Sequence, residues 1–147
     1  LLREVLGQAR ERQVEAFTEL LRLRPDEPYP ATLARAWAAI SGAQGEPYLR
    51  MFNRLHDVAG EPLWPGFRRT ATTDWLTPLE AGMRSLGRPE LATVVLAVFR
   101  GLLMDLDATG DTARTDRALA DFLTMIDEAV TTTHGAPGGV GGGDQYR

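Results

Sequence analysis

The stretch LATVVLAVFRGLLMDLDATGDTARTDRALADFLTMI, residues 91–126, decides the fold. In its first half, apolar side chains fill a broad arc of a helix, and Thr93, Arg100 and Asp107 form a narrow polar stripe opposite that arc. A helix that is exposed to solvent along only one narrow strip packs against other protein on both of its flanks. We therefore expect this helix to pack on its own core with one flank and on a second subunit with the other.

A second apolar helix follows directly. Gly110 is a stop signal for the first helix, and Asp111 or Thr112 is a start signal for the next. If a twofold axis relates two copies of the chain, these two helices of each copy together form a four-helix interface. The alternative is that both are core helices of a monomer. We predict a homodimer, because about six helices in a chain of 147 residues leave little protein to cover both faces. The predicted interface residues are Leu96, Phe99, Leu103, Leu106, Leu119, Phe122, Leu123 and Ile126.

The rest of the chain has helical periodicity and lacks strand signals, which predicts an all-α fold, a helical bundle of about six helices. Prolines and glycines place the first helix up to about residue 24, the third from about 47 to 59 and the fourth over 67–86. The second helix carries Leu33, Trp37 and Ile40 and stops at Ser41 and Gly42. Pro78 lies inside the fourth helix, where we expect a kink or a break.

The composition predicts one soluble domain. The chain has no Cys, which excludes disulfides and thiolate chemistry, and it has no apolar leader, so we expect a cytoplasmic protein that does not enter the membrane. With a net charge of −4 and no basic cluster beyond Arg68 and Arg69, the chain is by itself a poor ligand for nucleic acid. We assign residues 1–130 to a helical domain and residues 131–147 to a Gly-rich disordered tail.

Catalytic signatures are missing from the sequence. There is no Cys nucleophile, no Glu-x-x-His pair, no nucleophile elbow and no glycine loop of the phosphate-binding kind. His56 and Asp57 are neighbours, and neighbouring side chains of a helix point about 100° apart and form no dyad. His134 has no second ligand beside it. We expect no enzymatic activity, no cofactor and no metal site.

Aromatic side chains concentrate in the middle helices, which predicts a small-molecule pocket. Aromatic walls with a few polar groups suit a ligand site between helices, whereas the alternative is that these rings are ordinary core. We expect the cavity between the first, third, fourth and fifth helices. His56 is its predicted polar anchor, and the alternative is that His56 is a hydrogen-bonded core or boundary histidine. The predicted ligand-binding residues are Phe17, Trp37, Phe52, His56, Trp64, Phe67, Trp75, Met104 and Asp105.

Two residues of the penultimate helix are unusual. Asp105 falls within the apolar arc, where a desolvated carboxylate needs a cation, so we expect an ion pair, with a ligand contact or an exposed position as alternatives. Gly101 costs about 1 kcal/mol relative to Ala in a helix, which indicates a close helix approach at the symmetric crossing, unless it is simply a tolerated glycine. The candidate partners of Asp105 are Arg68, Arg69 and Arg84.

Three segments resemble one protein family. The run VVLAVFRGLLMDL at 94–106, followed by ATGD at 108–111, resembles the penultimate helix of TetR-type transcriptional repressors. YLRMF at 48–52 and DWLTPL at 74–79 resemble the middle helices of that family in the same order, so that the resemblance covers roughly residues 1–130. The family's N-terminal helix-turn-helix domain is absent, and the chain opens in helical phase without an N-cap, so we expect a C-terminal domain.

The resemblance implies an all-helical homodimer with a small hydrophobic or aromatic effector bound inside the bundle. By the same resemblance, the effector shifts the first helix and lowers the operator affinity of the two DNA-reading heads. DNA contact is then expected only through the missing N-terminal domain. A constitutive helical dimerisation or partner-binding module, with a filled core and no effector, is the alternative from another class.

Overall fold

The computed structural model describes residues 1–43, 45–46 and 66–134. This part of the chain is all-helical and contains no strand, which confirms the predicted fold class. The predicted third helix, at about 47–59, lies outside the described residues. The helices are α1 (Leu2–Leu21), α2 (Tyr29–Ser41), α3 (Phe67–Ser85), α4 (Ala92–Thr109) and α5 (Thr112–His134), with a 3₁₀ turn at Pro89–Leu91 before α4.

The helix ends follow from local chemistry. The prediction that Gly110 ends α4 is confirmed, since its φ of 67° is in the left-handed region and its N–H donates to the Leu106 carbonyl at 2.8 Å. Helix α2 begins at Tyr29, since Pro30 in the first turn has a φ that already suits a helix, and it ends at Ser41, which confirms the predicted stop at Ser41 and Gly42. Helix α1 ends at Leu21, slightly before the predicted residue 24.

Two helices extend further than the sequence predicts. Helix α3 runs through Pro78, so the predicted break is absent, while the predicted kink stays a prediction. The buried residues Leu79 and Met83 hold the helix after the proline against the core. Helix α5 continues to His134 instead of ending at about residue 130. The hydroxyl of Thr131 donates to the Asp127 carbonyl at 2.8 Å, so this polar segment is bonded back onto its own helix. Residues 135–147 of the predicted tail lie outside the described residues.

Helix α2 is at the centre of the described bundle and contacts each of the other four helices. Helices α1 and α3 also contact each other, and α4 lies between α3 and α5. One continuous apolar core results, and it fills the space around α2. Its buried members are Leu21, Tyr29, Leu33, Ala36, Trp37, Ile40, Trp75, Leu79, Met83, Ala92, Val95, Leu96, Phe99, Leu103, Leu119 and Ile126.

Tyr29 joins α1, α2 and α3. Its hydroxyl donates to the carbonyl of Leu21 at 3.1 Å and lies 3.5 Å from the carbonyl of Pro78. Burial raises the pKa of this phenol. The ring packs so closely on α3 that a Cβ atom at Gly82 would lie 1.9 Å from the ring carbon Cζ. Position 82 therefore has to be glycine for the ring to fit.

Trp37 joins α2 to α4 and α5. Its indole N–H donates to Asp116 Oδ1 at 2.7 Å, and its ring meets Phe99 edge to face, with 5.9 Å between the ring centroids. The indole is 4% exposed, so its donor depends on the carboxylate that reaches it from α5.

We expect Gly82→Ala to lower the free energy of unfolding by at least about 1–3 kcal/mol, the usual cost of overpacking a core. Urea denaturation measures the difference. Ala81→Ser, on the exposed neighbouring position, is the control and is expected to change stability by less than about 0.5 kcal/mol. Equal stability of Gly82→Ala and the wild type would contradict the packing of Tyr29 on Gly82.

Asp116→Ala removes the acceptor of the Trp37 indole and leaves a buried donor without its partner. We expect a loss of about 1–3 kcal/mol in the free energy of unfolding, measured by urea denaturation. Asp116→Asn keeps an acceptor oxygen, so we expect it to lose less. If Asp121→Ala, an exposed control on the same helix, costs as much as Asp116→Ala, the Trp37 bond does not stabilise the fold.

Candidate functional site

The predicted aromatic pocket is only partly within the described structure. Phe52, His56 and Trp64 lie outside the described residues, and so do the side chains of Phe17 and Phe67, whose backbones belong to α1 and α3. The prediction that these rings wall a cavity stays a prediction.

The two described tryptophans are core residues. Trp37 and Trp75 are each 4% exposed and belong to the same apolar cluster. The guanidinium carbon of Arg100 lies 5.5 Å from the centre of the Trp75 ring, and Arg100 Nη2 donates to Thr72 Oγ1 at 3.0 Å. Partial burial lowers the pKa of Arg100. Arg100 therefore covers the Trp75 ring from α4 instead of standing in the predicted polar stripe.

Met104 and Asp105 do not join these rings. Met104 is 64% exposed on α4. Asp105 is half-buried and forms a bidentate ion pair with Arg114 of α5, one bond of which joins Nη1 to Oδ2 at 2.8 Å. Arg114 Nε also donates to Asp111 Oδ2 at 3.2 Å.

The hydrogen bonds from Arg114 hold the pKa of the Asp105 carboxyl below its usual value. The structure thus shows an ion pair, as predicted, but its cation is Arg114 and not Arg68, Arg69 or Arg84. The ion pair between Asp105 and Arg114 stabilises the turn between α4 and α5.

The predicted interface residues are placed mostly inside the chain. Helices α4 and α5 turn their richest apolar arcs toward α2, α3 and each other, so these side chains leave little surface for a partner. Leu106 is half-buried at the end of α4, and Phe122 and Leu123 are half-buried against the core. The fully buried members are Leu96, Phe99, Leu103, Leu119 and Ile126.

A different set of α4 residues points outward. They are small or apolar and exposed, and they recur at alternating spacings of three and four residues, which keeps them on one side of a helix. Val94 is 45% exposed, and a Cβ atom at Gly101 would meet nothing within 4 Å. We call this set the outward face; it comprises Val94, Ala97, Gly101, Met104 and Ala108.

Met125 is an exposed apolar residue on α5. It is 62% exposed and lies nine residues after Asp116, which is half a turn around the helix from the contact with α2. The sequence prediction placed Gly101 at the symmetric helix crossing but missed the rest of the outward face, because it ranked positions by hydrophobicity, and Ala97 and Ala108 are too small to rank highly. The alternating spacing of small residues was the signal that identifies it.

A crevice is present at one end of the bundle. It lies where α2 and α4 end and α5 begins, and it has a volume of about 460 Å³. Sequence reasoning did not find it, because its walls come from helix ends that are more than 60 residues apart in the chain. The lining residues are Ile40, Ser41, Gly42, Ala43, Glu46, Leu106, Asp107, Gly110 and Thr112.

No helix within residues 1–43, 45–46 and 66–134 is both long enough and apolar enough to cross a membrane. No group of three or more His, Cys, Asp or Glu side chains in those residues is arranged to hold a metal ion.

The chain has no match among protein-family models, among curated proteins or among solved structures.

Proposed function

We propose that this chain is the effector-sensing and dimerisation domain of a TetR-type transcriptional repressor, and that it dimerises through the outward face of α4. The observation that carries the dimer is the exposed row from Val94 to Ala108, which has no ionised member and leaves space at Gly101 for a second helix.

The outward face suits contact between two identical helices. In a twofold dimer both subunits contribute the same outward face, so the row of one subunit contacts the identical row of its partner. The small side chains of Ala97, Gly101 and Ala108 favour the short end of the usual 8–10 Å separation between helix axes. Val94 and Met104 then supply the larger apolar side chains beside the crossing, and Met125 lies on the adjacent helix.

The regulatory step in this proposal is a shift of α1. Helix α1 contacts α2 and α3, so a small hydrophobic or aromatic effector that separates those helices moves α1 as well. A helix-turn-helix domain joined ahead of Leu1 would be displaced with it, and the spacing of the two DNA-reading heads would change. Effector and operator affinities are then coupled through one conformational equilibrium.

A constitutive dimerisation module is the second candidate. The observation that favours it is the burial of Trp37 and Trp75 in the apolar core, since rings that pack against other side chains do not wall a ligand site. The two candidates share the dimer and differ in the effector. They therefore differ in whether a small molecule stabilises the chain.

A thermal-shift screen of hydrophobic and aromatic compounds separates the two candidates. We expect a true effector, present at a hundred times its dissociation constant, to stabilise the folded chain by about 2.7 kcal/mol. The same compound must then weaken operator binding by the full-length repressor. If no compound in such a screen stabilises the chain, the constitutive module is the better description.

The proposed interface is tested by Met104→Arg. We expect the wild-type chain to be a dimer at micromolar concentration and Met104→Arg to be a folded monomer, since the side chain is 64% exposed within one chain and its replacement spares the core. Sedimentation velocity measures the oligomeric state, and circular dichroism checks the fold.

The matched control is Leu23→Arg, which replaces another exposed apolar residue, 43% exposed, in the segment after α1. We expect it to remain a dimer. A monomeric wild-type chain, or dissociation by Leu23→Arg and not by Met104→Arg, would contradict the proposed interface.

A further inference from the structure

The outward face of α4 has an order of side-chain sizes that is complementary to itself. Before Gly101, the larger Val94 lies at the outer end and the small Ala97 lies next to the glycine. After Gly101, the larger Met104 lies next to the glycine and the small Ala108 lies at the outer end. Val94 is 45% exposed and Met104 is 64% exposed. A copy of this face that is turned end to end about Gly101 therefore brings a small side chain to each larger one.

Gly101 also lies at the middle of its helix. Helix α4 has 18 residues, from Ala92 to Thr109. A twofold axis that passes beside Gly101 and is perpendicular to α4 therefore superposes the helix on its copy over nearly its whole length, about 27 Å. Any other centre would leave one end of each helix without a partner.

An antiparallel pair of α4 helices that is centred on Gly101 makes three kinds of contact. Val94 faces Ala108 of the partner subunit, and Gly101 faces its own copy. Ala97 faces Met104 of the partner subunit to within one residue, which is about 1.5 Å along the helix. Each contact has at least one small member, so the helices can approach closely without overlap and without voids.

A parallel pair fits less well, because each residue then faces its own copy. The pairs formed by Val94 and by Met104 would each join two large side chains and hold the helices apart. The pairs formed by Ala97, by Gly101 and by Ala108 would then face gaps that no side chain fills. Unfilled apolar volume lowers stability, so the order of sizes favours the antiparallel pair.

The charges beside the outward face do not offset this preference. In a parallel pair, Arg100 of one copy and Asp105 of the other would lie on adjoining flanks, where coiled coils form ion pairs. Both side chains are already engaged within the chain. Arg100 covers the Trp75 ring at 5.5 Å and donates to Thr72, and Asp105 is bound to Arg114 at 2.8 Å. An ion pair across a parallel interface would have to replace these contacts.

We infer that the partner of the outward face is a second copy of the chain whose α4 runs antiparallel to the first, with the twofold axis beside Gly101. The inference rests on the proposed dimer and specifies how its two helices are arranged. The C-terminal end of each α4 then lies beside the N-terminal end of the other, so the helix dipoles have opposite directions and attract each other.

The test is disulfide cross-linking between two variants of the 1–147 chain, Val94→Cys and Ala108→Cys, mixed in equal amounts and oxidised in air with copper–phenanthroline. The chain has no cysteine, so each variant carries a single thiol. We expect a mixed disulfide, because facing positions come within the separation of about 4.4–6.8 Å between Cα atoms that a disulfide needs. Neither variant alone is expected to link, because the two copies of position 94 are about 21 Å apart in the antiparallel pair. Non-reducing electrophoresis and mass spectrometry of the linked peptides identify the products.

A second pair and a control accompany this mixture. Ala97→Cys mixed with Met104→Cys is expected to link as well, and it tests the arrangement at two other exposed positions. Ala34→Cys, at an exposed position of α2, is mixed with Val94→Cys to measure linking through random collision. We expect both facing pairs to link at least about tenfold faster than this control, since facing thiols have a much higher effective concentration than thiols of separate chains. Circular dichroism checks the fold of each variant.

Gly101→Cys separates failure of the antiparallel arrangement from failure of the dimer, because position 101 faces its own copy in both arrangements. If Gly101→Cys links with itself and Val94→Cys does too, the dimer is parallel and the inference is overturned while the proposed dimer stands. If Gly101→Cys links and neither facing pair does, the antiparallel arrangement is likewise overturned. No linking at any of these positions above the rate of the Ala34→Cys control would overturn both the arrangement and the dimer.

Discussion

The apolar surface of α4 is larger than the area that the rest of the described chain covers, and the structure depends on this constraint. One arc of α4 is buried against α2, α3 and α5 and holds Val95, Phe99 and Leu103 in the core. The opposite side exposes the outward face, with the polar side chains of Thr93 and Asp107 exposed beside it. In the dimer that we propose, a second copy of the chain covers this apolar side of α4 and stabilises it.

The central position of α2 explains how the two ends of the molecule are connected. Tyr29 begins α2 and packs on Gly82 of α3, and Trp37 in its middle bonds to Asp116 of α5. Ile40 near its end lines the crevice. A shift of α2 therefore also displaces α1, the walls of the crevice and the helices next to the outward face. Such shared contacts are the physical requirement for coupling between sites.

The parts of the fold that depend on local chemistry were predictable from the sequence. Gly110 needs a left-handed backbone, and helical periodicity of apolar residues predicts an all-α bundle. The course of α3 through Pro78 was not predictable, because packing of the residues around the proline outweighs its local preference. The partner of Asp105 was missed since Arg114 becomes its neighbour only when the α4–α5 turn folds back.

The candidate sites were harder to predict for a different reason. Hydrophobicity along the sequence shows that α4 has two apolar sides, but which side meets the core depends on how α2, α3 and α5 pack. The predicted interface therefore took the core-facing residues Leu96, Phe99 and Leu103 for the contact with a partner. The crevice combines helix ends that are distant in the chain, and only the folded structure brings Glu46 near Asp107.

The most direct measurement of the central claim is the effect of Gly101→Leu on stability and on dimerisation. No atom of the described residues lies within 4 Å of a Cβ atom placed at Gly101, so the account predicts that leucine raises the free energy of unfolding of the dilute monomer by about 0.8 kcal/mol through helix propensity. It also predicts that the same change weakens the dimer at least tenfold, because two leucines would hold the crossing helices apart. A leucine variant that is more stable and dimerises as tightly as the wild type would contradict the account.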